Sequence, residues 1–467
     1  MVGEAFFHEP TPYGFVDVDR KLLMLIRKLP KKSICARTLI FICIIFFLET
    51  ITACSASRFG NPKLSREMTE LLNAKDYFTL ETILNNNGSQ LSETQKLYYK
   101  ALLENRFNQT EQSLQTIDLL FYKHKKSLDE KTIAELLNHK SGNHTKQFEY
   151  KQAAEALRDM IELYGHLLDD FSREALTRDL QRLELLKNIP PQKIIRAKDT
   201  MIQFKINERG QITIPVVCNG VNGMFIFDTG ANNSVISKSI ATRMGIKLID
   251  GSIQVRLATG NYIEAKLGVA DNLNIGEILF KNIVFTIVDD EQLSLNNIHG
   301  IIGFNLMNQM KEIRIDFKKG NILFPVTPVK LDLRNLYLTG STPVARLKSG
   351  LDTLLFQLDT GATQSIYTKK YFDAHRERIV NDGQRVATMN RSLGDEINSE
   401  GYVLTNVPFE VGNFEMTLPE ILVETREYPM VKMRNFDGVL GQDVLTHFDE
   451  MILNFESMYL TFRKNSD

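Results

Sequence analysis

The chain has 467 residues, with 56 lysines and arginines against 57 aspartates and glutamates and a formal net charge of −1. That balance argues against nucleic-acid binding through bulk positive charge and against an acidic disordered chain, and four cysteines are too few for a disulfide scaffold. The length exceeds what one ordinary core organises and predicts two or three domains.

Residues 1–53 read as an export signal. Arg27, Lys28, Lys31, Lys32 and Arg37 precede the apolar run Leu39-Ile-Phe-Ile-Cys-Ile-Ile-Phe-Phe-Leu48. As a helix this run reaches about 15 Å, half of a bilayer's hydrocarbon core, so it is too short to span. A basic stretch, a short apolar stretch and then small residues make a secretory signal. Its end, Ile51-Thr52-Ala53-Cys54, resembles the lipobox of bacterial lipoproteins, which implies lipidation of Cys54, a tether over 54–61, and anchoring to the bacterial cell envelope. The expected location is the outer membrane, facing the periplasm or the exterior, with which Ser55 after the cysteine is compatible. The polar residues 1–23 are unusual ahead of such a signal and make Met24 a candidate true start. With Cys54 lipidated, Cys218 has no partner for an intrachain disulfide and reads as a small buried apolar residue.

Residues 62–195 read as a helical domain. Prolines sit at its ends (Pro62, Pro190, Pro191), and apolar residues recur at helical spacing. Leu97, Ala101 and Leu102 make one face, Leu114, Ile117, Leu120 and Phe121 another, Ile133, Leu136 and Leu137 a third, and Ala153, Ala156, Leu157, Met160, Ile161 and Tyr164 a fourth. Polar breaks are expected at Asn85-Asn-Asn-Gly-Ser89 and at Lys140-Ser-Gly-Asn143. Short amphipathic helices in series need one another to bury their faces. The segment Tyr98–Phe107 with the following Ser113–Phe121 resembles a degenerate tetratricopeptide hairpin, which implies a partner-binding or substrate-presenting arm; a plain spacer is the alternative. His124, His139, His144 and His166 lack metal-ligand spacing, so no metal is expected.

From Ile202 onward β-branched alternation takes over, with a hairpin signal at Asn219-Gly-Val-Asn-Gly223. Met224-Phe-Ile-Phe227 leads into Asp228-Thr-Gly-Ala-Asn-Asn-Ser234. The same text returns as Leu354-Leu-Phe-Gln-Leu358 and Asp359-Thr-Gly-Ala-Thr-Gln-Ser365, so the two aspartates lie 131 residues apart. A second block repeats as well: Gly300-Ile-Ile-Gly303 through Phe324 aligns without gaps with Gly438-Val-Leu-Gly441 through Phe462. Two paired blocks in the same order indicate an internal duplication.

Apolar-apolar-Asp-Thr-Gly-Ala-x-x-Ser followed by apolar-apolar-Gly resembles the retropepsin-like branch of the aspartic proteases over about residues 200–467. The resemblance implies a multidomain α plus all-β chain, in which N-terminal helical hairpins precede a bilobal β-barrel aspartic protease domain. Lobe 1 would span 200–327 and lobe 2 328–467. Both halves sit on one chain, so the site would form without a partner copy, and its substrate would be a peptide or protein. Asp228 and Asp359 are the implied catalytic pair. Thr229, Gly230, Ala231 and Ser234, with Thr360, Gly361, Ala362 and Ser365, would support the active-site loops, and Gly303 and Gly441 would pack behind them.

The chemistry fits those residue types. Peptide hydrolysis needs a base to activate water and an acid to protonate the departing fragment. Two close carboxylates cannot both ionise and so share one proton, without cofactor or metal. Ala231 and Ala362 stand where pepsin-like relatives carry a hydroxyl. Fewer hydrogen bonds to the carboxylates imply an optimum at weakly acidic to near-neutral pH. A flap must cover the substrate. Val255–Ile263 reads as that hairpin, with Thr259, Gly260 and Asn261 at its tip, and Val386–Leu393 with Gly394 as a longer, more polar counterpart. Two rival readings are an inactive protease-like peptide-binding module and glycoside hydrolysis by two carboxylates. The absence of tryptophan counts against the second.

Overall fold

The computed structural model describes residues 60–293, 298–392, 394–412, 414–427 and 435–463, and from Pro62 onward the chain forms one compact unit. The export signal, Met24 and Cys54 lie outside the described residues. None of the described helices is long and apolar enough to cross a membrane.

The helical region consists of α1 (Pro62–Ala74), α2 (Tyr77–Asn87), α3 (Glu93–Arg106), α4 (Thr110–His124), α5 (Glu130–Lys146), α6 (Tyr150–Tyr164) and α7 (Asp170–Leu186). Its prolines and caps explain the boundaries. Pro62 stands at the first helical position, where its missing N–H costs nothing. Ser92, Asp129 and Asp169 cap α3, α5 and α7 by accepting the backbone N–H of Gln95, Thr132 and Ser172. Within each of the hairpins α1–α2, α3–α4 and α5–α6 the turn uses one residue with positive φ: Lys75, Asn108 and Phe148.

The break expected at Asn85–Ser89 ends α2, but the one expected at Lys140–Asn143 lies inside α5. The Ser141 and Asn143 side chains within it are buried and bonded between helices. Ser141 Oγ donates to the Ala153 carbonyl (2.8 Å), and Asn143 accepts from Asn105 (2.7 Å) and donates to Ser113 Oγ (2.9 Å). Polarity here marks a buried network, not a loop.

The strands form three sheets among the described residues. In the first, Gly300–Ile302 lies between Val221–Phe227, to which it is parallel, and Val235–Ser237, to which it is antiparallel. In the second, Gly438–Leu440 lies in the same way between Asp352–Leu358 and Ile366–Tyr367. The registers match: Gly300 faces Phe225 and Gly438 faces Phe356. A Cβ on either glycine would come within 2.3 Å of the Phe225 ring or 2.2 Å of the Phe356 ring. The third sheet joins the halves in the order Thr200–Gln203, Asn321–Phe324, Glu312–Asp316, Glu450–Asn454, Tyr459–Arg463. Glu312–Asp316 and Glu450–Asn454 run antiparallel with Arg314 opposite Ile452, residues at the same place in the two repeated blocks, so an approximate two-fold axis passes through that pair.

The hairpin signal at Asn219 becomes a two-residue turn in which Asn219 and Gly220 both have positive φ. Cys218 beside it is buried, and burial pushes its thiol up to about 12, as suits an inert apolar filler.

The helices are not a detached arm. Tyr77 of α2 packs edge-on against Tyr337 (centroids 4.8 Å apart), Glu81 pairs with Arg334, and the Asn108 turn donates to Asn308 (2.8 Å) and to the Phe455 carbonyl (2.9 Å). Leu183 and Leu186 of α7 share a core with Ile253, Ala265 and Ile301 of the first sheet. Lys193–Ile195, placed above in the helical domain, is a strand paired with Ile278–Val288.

Candidate active site

Each buried strand, Val221–Phe227 and Asp352–Leu358, runs straight into its Asp-Thr-Gly-Ala loop. The loop starts are fixed alike: the Asp228 N–H donates to the Ile302 carbonyl (3.0 Å) and the Asp359 N–H to the Leu440 carbonyl (3.1 Å). Asp228 Oδ1 accepts from the N–H groups of Gly230 (2.7 Å) and Ala231 (3.2 Å), and Asp359 Oδ1 from those of Gly361 (2.9 Å) and Ala362 (3.0 Å). One oxygen of each carboxylate is thereby held by its own loop, and Asp359 Oδ2 also accepts from Gln357 Nε2 (3.5 Å).

The threonines cross between loops. The Thr229 N–H donates to Thr360 Oγ1 and the Thr360 N–H to Thr229 Oγ1, both at 3.0 Å. Thr229 Oγ1 then donates to the Leu358 carbonyl (2.9 Å), and Thr360 Oγ1 to the Phe227 carbonyl (2.7 Å). Both threonines are fully buried, so these bonds are shielded from water.

This brace brings the aspartates together. A Cβ on Gly230 would lie 2.4 Å from Asp359 Cγ, and one on Gly361 would lie 2.5 Å from Asp228 Cγ. Each carboxylate thus rests against the glycine of the opposite loop. Burial, then the charge of Asp359 and a side-chain hydrogen bond with it, hold the Asp228 carboxyl well above the usual carboxylate range, against the lowering effect of its backbone donors.

Behind the loops, Ser234 Oγ accepts from the Gly303 N–H (3.1 Å) and donates to Asn305 Oδ1 (2.9 Å). Ser365 Oγ accepts from the Gly441 N–H (2.9 Å) and donates to Asp443 Oδ1 (2.6 Å). A Cβ on Gly303 or Gly441 would meet the backbone of Asn233 or Gln364 at 2.6 Å. Asn305 and Asp443 escaped the sequence reading, although both stand two residues after the glycine of their block. The halves also differ: Gln442 Nε2 donates to the Thr360 carbonyl (2.7 Å), where the first half has Phe304 against Phe455.

Thr259, Gly260 and Asn261 lie at the tip of the hairpin formed by Lys247–Arg256 and Tyr262–Ile275, with φ +101° at Gly260. The counterpart joins Gln384–Ser392 to Asp395–Val411, and its turn includes Gly394, at φ +79°. Leu393 lies outside the described residues. The hairpins meet: Thr259 Oγ1 and Asn261 Nδ2 (2.9 Å) both donate to Asp395 Oδ2. Gly394 approaches Gln292 so closely that a Cβ would lie 3.2 Å from its Cα.

No curated protein matches the chain. A family model described as aspartyl protease matches residues 214–306, the stretch that holds Asp228, the first hairpin and Gly303.

Proposed function

We propose that the chain is an aspartic endopeptidase whose two halves, 200–327 and 328–467, are duplicated lobes that build one site. The observation that carries this reading is the packing of each carboxylate against the opposite loop's glycine, with Asp228 held toward its protonated form. In a pair that shares one proton, the ionised carboxylate takes a proton from water, and the protonated one donates to the scissile carbonyl. The water attacks the carbonyl carbon, and the resulting diol collapses as the amide nitrogen is protonated. The two hairpins cover the peptide and exclude solvent.

The lipobox-like Ala53-Cys54 supports a lipoprotein of the bacterial envelope. Three helix hairpins with equivalent turns support the tetratricopeptide-like reading. The test is cleavage of an unspecific protein substrate by wild type, Asp228→Asn and Asp359→Asn, with and without a pepstatin-type inhibitor. The expected result is loss of at least about 1,000-fold in either variant. Equal turnover in all three would sink the dyad; binding of peptides without turnover by wild type would favour a binding module.

A further inference from the structure

Helix α7 touches both the floor and the roof of the first half's site. Arg182 Nη2 donates to Asn233 Oδ1 (2.6 Å), in the loop that starts at Asp228. Arg178, one turn earlier on the same helix face, donates to the Tyr262 hydroxyl (2.8 Å) and lies over its ring (4.7 Å). Tyr262 opens the return strand just past the hairpin tip. From the hairpin side, Arg256 lies over Tyr262 (5.3 Å) and over Phe171 of α7 (4.7 Å). Leu185 comes within 3.0 Å of a Cβ built on Gly251, so the helix follows the hairpin toward its base. A rigid helix bonded to the loop below and the hairpin above crosses the gap between them. The second copy differs there: Thr363 and Gln364, at the places of Asn232 and Asn233, are exposed.

We propose that α7 is an end wall of the substrate cleft, so that the enzyme accepts long peptide extensions on the second half's side and only short ones on the first's. Arg182 and Arg178 are positioning residues that hold the wall.

This inference rests on the protease reading, and one experiment separates the two. The full chain is assayed on a peptide series lengthened stepwise on one side of the scissile bond or the other, with Asp228→Asn as control. In wild type, lengthening one side should raise KM by about tenfold or more, while lengthening the other should not. Arg178→Ala with Arg182→Ala should remove that asymmetry and leave the shortest peptide's kcat within about twofold. Tyr262→Ala, at an exposed ring, loosens the wall from the hairpin side and should act in the same direction. Equal tolerance on both sides in wild type, or an asymmetry unchanged in both folded variants, would overturn the wall while cleavage itself persists. Cleavage seen only in the variants would overturn it in favour of a complete block. Cleavage unaffected by Asp228→Asn would remove the dyad and the wall's premise with it.

Discussion

Thr229 and Thr360 hold each other's loops: each backbone N–H donates 3.0 Å to the other's hydroxyl, and each hydroxyl passes a bond on to a carbonyl of the opposite strand. Thr360→Val keeps the shape but strands the Thr229 N–H and the Phe227 carbonyl inside the protein. It should cost about 1–3 kcal/mol of stability and lower kcat, whereas Thr360→Ser should retain most of both. Thermal melts and turnover on one preparation check this; a neutral valine variant would show that the brace does not matter.

Gly230 has no room for a methyl group, since its Cβ would sit 2.4 Å from the Asp359 carboxyl carbon. Gly230→Ala should push the aspartates apart and lose about 100-fold or more in kcat, the scale expected for a displacement of about 1 Å. Gly361→Ala should do the same from the other side. Retained activity in either would mean that the loops can separate at no cost to the chemistry.

The Asp228 carboxyl is raised by burial and then by Asp359. A carboxyl that binds its proton more tightly in the folded state adds stability that is full below its ordinary value near 3.8 and is lost as pH rises through the raised folded value. Asparagine carries no charge at any pH. Asp228→Asn should therefore melt about 2–4 °C above wild type near neutral pH, and the gap should close as pH falls toward about 4. Scanning calorimetry across that range decides it: a gap that stays constant or widens toward acid has the wrong sign.

The hairpin tips share one carboxylate, Asp395, held below the usual range by the Thr259 hydroxyl and then the Asn261 amide. Asp395→Ala should free the tips and raise KM by about two- to tenfold, with only a small change in melting temperature, because the bond from Asn261 to the Asp395 carboxylate is exposed even though Thr259 is buried. An unchanged KM would show that the tips do not act together on substrate.

Asn143 bridges α3, α4 and α5 through its bonds to Asn105 and Ser113. Asn143→Ala should leave both partners short of a bond and cost about 1–3 kcal/mol. Asn105→Ala should cost less when added to it than alone, because the two share one network. Additive losses in chemical denaturation would argue that the sites are independent.

Much of the site was legible because its determinants are local. Asp-Thr-Gly-Ala after an apolar strand and the paired glycine blocks each occupy a few consecutive residues, and their recurrence marks them as one pattern written twice. Turn chemistry was local too, as at Asn219-Gly220. Lys140–Asn143 was misread because polarity at helical spacing looks the same whether it faces water or a buried amide on another helix. Asn305 and Asp443 stood in the repeated blocks, but only the fold puts them behind Ser234 and Ser365.

By itself the sequence determined the strand-and-turn text of both halves and their correspondence, since period, turn residues and small glycines act over short range. Only the tertiary structure decided what those texts face. Arg314 opposite Ile452, the threonine crossing, the meeting of hairpin tips at Asp395, and the reach of α7 to Asn233 and Tyr262 join residues far apart in the chain. Such contacts arise when burial brings distant surfaces together, and arginines like Arg178 and Arg182 carry no local signal that separates a solvated helix face from one bonded to a distant loop and hairpin.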